Sequence, residues 1–218
     1  MGFDQAAFNT FVIENGAIGF FQEPLTLKSG RKTYFYINWR TVTENATLTD
    51  QLSEFILTYA ADMDADCFYG VPEGATKLGI ITQFKHARAS GGPLAMGRAK
   101  PKPHGDPKDM FFVGKPTGTT VVIEDTTTTG GSLLAELARL KDAGVTVQAV
   151  IILTDRGEKR DDGTTVRAAI EALGIQYHAL STAPALLPAA YKTAQPGASV
   201  KKAIEAYFAQ YGEAPITL

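Results

Sequence analysis

Two apolar runs, "TTVVIE" (119–124) and "VQAVIILT" (147–154), enclose a segment in which Leu133, Leu137 and Leu140 recur at i, i+4 and i+7. Strands apolar along their whole length cannot leave one face in water, so they belong to a sheet covered on both sides. The amphipathic segment between them, closed by Gly144, supplies the crossover helix that two parallel strands require. The same alternation appears elsewhere. "CFYGV" (67–71) precedes a helix expected over Thr76–Arg88 and ended by "SGG", and a helix over Thr165–Leu173 precedes "IQYHAL" (175–180). Repeated strand–helix units predict an α/β fold, a doubly wound and mainly parallel sheet.

The flanks are less regular. Asp4 is placed to cap a first helix with Phe8, Phe11 and Val12 on one face, and Thr49 to cap a second carrying Leu52, Phe55, Ile56 and Tyr59. "LTLKSGRKTYFYIN" (25–38) reads as two β-prone runs around Ser-Gly, a hairpin outside the alternation that forms a small cap. "PLAMGR" (93–98) is a weak strand, and "AKPKPHGDPKD" (99–109) an exposed, mobile loop. A last amphipathic helix is expected over 199–210; residues after about Ser181 carry no motif beyond packing. At 218 residues the chain fills one core and is short for two. The expected organisation is a single domain, with a cap over 1–45, a core over 46–218 and a mobile loop over 98–109.

A net charge of −2 gives no reason to expect nucleic acid or an acidic membrane as a partner, so any anion must be bound by a local basic cluster. The single cysteine, Cys67, lies in an apolar run, where a buried and inert thiol is expected. The N-terminus shows no basic-then-apolar leader, and no apolar stretch reaches membrane-spanning length; a cytoplasmic protein is expected.

The chemistry concentrates in "VVIEDTTTTGGSLLAEL" (121–137), where two adjacent acids, four threonines and two glycines stand between a strand and a helix. In parallel sheets, ligands collect at the carboxyl ends of the strands. Hydroxyls, backbone amides and the positive end of a helix suit a phosphate, and glycine allows close backbone approach. The carboxylates of Glu124 and Asp125 would repel that phosphate unless they bind something else, and vicinal sugar hydroxyls are good donors to such a pair. A ribose 5-phosphate fits both halves. The chain has no GxxxxGK[ST] and no GxGxxG, which disfavours a P-loop and a dinucleotide site. Read alone, the stretch is also compatible with a β–α turn bearing solvated acids and a capping hydroxyl.

"VVIEDTTTTGGS" resembles the phosphoribosyl diphosphate (PRPP) motif of type I phosphoribosyltransferases. "LTLKSGRKTYFYIN" is similar to the hairpin of the orotate phosphoribosyltransferase family, and "RAKPKPHG" to its Arg/Lys/His catalytic loop, in matching order from about Leu25 to Arg156. The resemblance implies transfer of ribosyl 5-phosphate from PRPP to N1 of orotate, giving orotidine 5′-monophosphate and diphosphate. It implies PRPP contacts at Glu124, Asp125, Thr126, Thr127, Thr128, Thr129, Gly130, Gly131 and Ser132, and at Glu73 and Gly74 of "GVPEGATKLG". Arg98, Lys100, Lys102 and His104 would surround diphosphate, with Lys102, His104 and Asp125 as catalytic groups. The chain has Arg98-Ala99 where the family has Arg-Lys, and Glu73 where many members have lysine, Lys77 being the nearest. Lys28, Tyr36, Ile37, Thr128 and Arg156 would contact orotate, Arg156 gripping its carboxylate through the planar fork. Tyr36 is equally an ordinary core aromatic, and Arg31 equally a solubilising surface residue. Magnesium would be carried mainly by diphosphate and ribose oxygens, with no dedicated protein cage. A homodimer is implied, with a loop that in the family closes over substrate, often in the neighbouring subunit's site.

Three other readings compete. A phosphoribosyltransferase for a neutral base would need no arginine for a carboxylate. A non-catalytic PRPP-sensing regulator would lack the basic loop and carry a DNA-binding element. A phosphoacceptor module with Asp125 as acceptor would leave the Thr/Gly loop without purpose.

Overall fold

The computed structural model describes residues 2–88, 91–106 and 109–218. Ser90 of the expected helix stop, and Pro107 and Lys108 of the 98–109 loop, lie outside the described residues.

Helix α1 (Gln5–Glu14) is capped by Asp4, whose carboxylate accepts from the amides of Ala6 and Ala7, and it buries Phe8, Phe11 and Val12. Strands β1 (Ile18–Thr26) and β2 (Lys32–Ile37) form an antiparallel hairpin with an irregular register between Phe20 and Leu25. β1 begins well before the β-prone run at Leu25. A short helix, α2 (Trp39–Thr43), follows and is capped by Asn38. Helix α3 (Ala46–Tyr59) corrects one expectation: its cap is Asn45, which accepts from the Leu48 amide, while Thr49 sits inside the first turn and donates to the Asn45 carbonyl. Both residue types cap helices, and the one further upstream wins because Ala46, Thr47 and Leu48 can extend the helix.

Strand β3 (Cys67–Gly70) leads into α4 (Thr76–Ala87). The two approach closely because both facing positions are glycine: a Cβ on Gly79 would lie 2.2 Å from the Gly70 nitrogen. β4 (Met96–Gly97) and β5 (Phe112–Val113) are two residues each and pair antiparallel at the base of the basic loop. Strand β6 (Thr119–Thr127), helix α5 (Gly131–Asp142), strand β7 (Thr146–Asp155), helix α6 (Val166–Glu171, capped by Thr165) and strand β8 (Gln176–Ala179) complete the alternation. Helices α7 (Ala183–Ala194) and α8 (Ala198–Tyr211) close the chain. α7 has no counterpart in the sequence reading, since Pro184 and Pro188 interrupt its pattern.

The main sheet has the order β3-β6-β7-β8 with every pair parallel, and the hairpin is a separate two-stranded sheet. Two apolar clusters lie on its opposite faces. One joins Val121, Ile123, Ile151 and Leu153 to α1, α3, α7, α8 and the hairpin; the other joins Val122, Val150 and Ile152 to α5 and α6. The cap therefore shares the main core through Phe8, Phe35 and Trp39. Cys67 is fully buried, and burial pushes its thiol up to about 11, as an inert structural cysteine should be. Among the described residues, no helix is long and apolar enough to cross a membrane.

Candidate active site

β6 runs four residues beyond its last apolar residue, Ile123, carrying Glu124, Asp125, Thr126 and Thr127 to the carboxyl edge of the sheet. In register, Thr126 lies opposite Thr154 and Thr127 opposite Asp155, so the end of β7 delivers Arg156 beside the same loop, with its amide donating to the Thr127 carbonyl. Gly130 then turns the chain at φ +71°, a conformation suited to glycine, and a Cβ there would also strike Val166. α5 starts without a side-chain cap, leaving its first amides directed at the loop. Gly131 has no such constraint, with open space where its Cβ would be.

A cavity of about 580 Å³ opens over this edge. It is lined by the whole predicted stretch from Glu124 to Ser132, by Lys28, Tyr36 and Ile37 of the hairpin, and by Arg156. Lys28 Nζ donates to Ser132 Oγ at 3.0 Å, bridging the hairpin to the start of α5. Gly74 is not among the lining residues but abuts one of them: a Cβ there would come within 2.2 Å of the Asp125 carboxylate, so this position brings backbone directly against the acid. Glu73 is exposed and Lys77 donates to the Thr43 carbonyl, so that neither lines the cavity. The basic loop also stands off from it. His104 and Lys100 are exposed, Lys102 folds over Gly105, and Arg98 Nε donates to the Asp109 carbonyl.

Glu124 is nearly buried. Burial and, next, the neighbouring Asp125 carboxylate hold its carboxyl well above the usual carboxylate range. One of its oxygens accepts only the Asp125 amide, at 3.1 Å, among the described residues. A pair of this kind, a buried acid of raised pKa beside a second carboxylate, is suited to share hydrogen bonds with sugar hydroxyls. Thr126 Oγ1 is buried without a hydrogen-bond partner among the described residues. Asp155, behind the loop, accepts from the Tyr177 hydroxyl at 2.6 Å and the Gly157 amide at 2.9 Å.

Two arginines are buried, and for Arg31 this departs from the surface reading. Arg156 is 2% exposed, and Arg31 is buried with its fork between Glu158 and Asp161, at 2.9 and 2.7 Å. Several contributors were missed from sequence. Arg40 and Asn38 line the cavity, and Arg160 donates to the Thr129 carbonyl at 2.8 Å from behind. The run of charges after Arg156 was the only signal for Arg160. At the base of the loop, Tyr69 donates to Glu136 at 2.6 Å, Glu136 pairs with Arg139 at 2.7 Å, and Arg139 donates to the Arg98 carbonyl at 3.0 Å.

The relatives agree with this geometry. The chain is 31% identical over 156 residues to an orotate phosphoribosyltransferase of Corynebacterium glutamicum (strain R), covering 72% of this chain and 80% of that one. To that of Bradyrhizobium sp. (strain ORS 278) it is 36% identical over 171 residues, covering 72% and 84%. The chain belongs to the orotate phosphoribosyltransferase family. The fold comparison is consistent: the crystal structure of the Mycobacterium tuberculosis H37Rv orotate phosphoribosyltransferase superposes with a TM-score of 0.62 at 26% identity, covering 84% of this chain and 98% of that one. No family model matches the chain.

Proposed function

We propose that the protein is an orotate phosphoribosyltransferase, joining N1 of orotate to C1 of PRPP with release of diphosphate. The observation that carries the reading is the convergence, in one cavity, of a phosphate nest, a carboxylate pair, the hairpin and a buried arginine. The 5′-phosphate is received by residues 128–132 and the uncapped start of α5, and the ribose hydroxyls by Glu124 and Asp125. The base lies against Tyr36 and Ile37, near Lys28 and Thr128, with its carboxylate on Arg156. A neutral base would leave that arginine without its anion.

Breaking the C1–diphosphate bond builds positive charge on the ribose and negative charge on the departing oxygens. The amides beside Gly74 meet the diphosphate, and Glu73 on the same turn faces away. Closure of the loop carries Arg98, Lys100, Lys102 and His104 over it, excluding water and neutralising the leaving group. Among the described residues no cluster of three or more metal-binding side chains occurs. Magnesium carried by diphosphate and ribose oxygens would lie beside the carboxylates of Glu124 and Asp125 and would supply charge neutralisation there.

The chain assembles as a homodimer, supported by large apolar side chains that α4 and the β4–β5 base leave in solvent: Ile81, Phe84, Leu94 and Val113. The loop rises from this same base, so a second copy lying there puts one subunit's loop near the other's site.

The test is ultraviolet loss of orotate with PRPP and Mg²⁺, run beside adenine, hypoxanthine, uracil and no base. Consumption of orotate alone is expected. Turnover of another base would discard the orotate pocket and keep the PRPP site, while PRPP binding without turnover of any base would make the protein a sensor.

A further inference from the structure

We infer that Glu158 and Tyr207 are positioning residues that aim Arg156 at the substrate carboxylate, so that base selectivity depends on a helix near the C-terminus. The side chains of Glu158 and Arg156 are 0% and 2% exposed. A carboxylate removed from water to this degree needs several partners. Glu158 has three: one oxygen accepts from Arg156 Nε at 2.5 Å, and the other from Arg31 Nη1 at 2.9 Å and from the Tyr207 hydroxyl at 2.8 Å.

This division of the carboxylate decides what Arg156 has left. Its Nε is committed to Glu158, and its Nη2 reaches Thr33 and Tyr207, both at 3.4 Å. The guanidinium carbon sits 4.1 Å from the Phe35 ring centroid, which holds the plane flat against the hairpin. Among the described residues Nη1 takes no hydrogen bond, and Arg156 lines the cavity. The fork is thus clamped on its back edge and open on its front. Arg31 is a second cation on the same carboxylate, so that Glu158 is held from both sides and fixes the orientation of Arg156. Two guanidiniums face a single buried carboxylate, with Asp161 offsetting Arg31 at the surface. Counting Asp161, the four charges balance, so the carboxylate of the incoming base is received by the unused Nη1 edge of the fork and not by a missing charge.

The inference rests on Arg156 as the grip on the orotate carboxylate, and the experiment separates the two. KM for orotate and for PRPP, and inhibition by uracil as a base without the carboxylate, are measured for wild type, Arg156→Ala, Glu158→Gln, Tyr207→Phe and the Arg156→Ala/Glu158→Gln pair. Glu158→Gln is expected to raise KM for orotate about tenfold while KM for PRPP and inhibition by uracil stay within about twofold. In the Arg156→Ala background the Glu158 exchange should add nothing, because its effect passes through the missing arginine. Equal losses for PRPP and orotate, or additivity in the double variant, would mean a merely structural role and overturn the inference. An unchanged orotate KM in Arg156→Ala would remove the anchor itself, and the positioning role with it. If Glu158→Gln does not fold, Tyr207→Phe keeps every charge and is expected to raise orotate KM about threefold; an orotate KM equal to wild type would overturn the inference.

Discussion

Glu124 is the residue at which the site's electrostatics bear most directly on stability. Its carboxyl titrates above its ordinary value because of burial first and Asp125 second, with Glu136 adding to the same effect. An acid with a raised folded-state pKa holds its proton in the native state after the unfolded chain has released it. Stability therefore falls as pH rises from the ordinary carboxylate value towards the raised one. Glu124→Gln removes that cost, and its Tm at pH 7 should exceed wild type by roughly 2–4 °C, with no difference near pH 4. PRPP affinity should fall in the same variant, which isothermal titration would read. Lys102 represents the opposite case, a group that does not line the cavity. Lys102→Ala should retain PRPP binding and lose turnover by about 10²–10⁴, measured as kcat, if it meets the leaving group only on closure. A residue's type and spacing made both legible. Glu124 stands in a contiguous motif, and Lys102 in a basic loop, whereas Arg31 and Arg160 carry ordinary surface chemistry until folding buries them or turns them onto a backbone carbonyl.

At the scale of elements, the turn between β3 and α4 depends on two glycines with no freedom to be anything else. Gly79→Ala would press a methyl against the Gly70 backbone, with 2.2 Å to its nitrogen and 2.6 Å to its Cα, and neither atom belongs to a movable side chain. A loss of about 2–3 kcal/mol is expected, read from the midpoint of urea unfolding. Because the same turn positions Gly74 against Asp125, PRPP binding should weaken in parallel. Strands and helices of the βαβ units were readable because their burial is periodic: β6, β7, α4 and α5 each fall within a few residues of the expected ranges. α7 and α2 were not, since prolines in one and the shortness of the other erase the period. β4 lies within the weak strand expected over 93–98, whereas β5 is fixed by pairing with it, which two residues cannot announce.

The whole molecule presents an apolar surface on α4 and beside the loop base. If that surface is the subunit interface, Phe84→Glu should convert the dimer to monomer in analytical ultracentrifugation and reduce turnover, since each loop would lose the neighbouring site. An unchanged mass would place the interface elsewhere. The sequence by itself determined the layered α/β plan, the Thr/Gly loop after β6 and the strand-end acids, because each arises from residues adjacent along the chain. Their local periodicity or composition carries the physics. The tertiary structure alone decided that Arg31, Glu158 and Tyr207 meet around Arg156. Those groups come from the hairpin turn, the end of β7 and α8, and no local pattern records a contact made only when three separate elements dock on one core. The same docking set the distance between the basic loop and the cavity, which depends on where β4 and β5 pair and not on the loop's own residues.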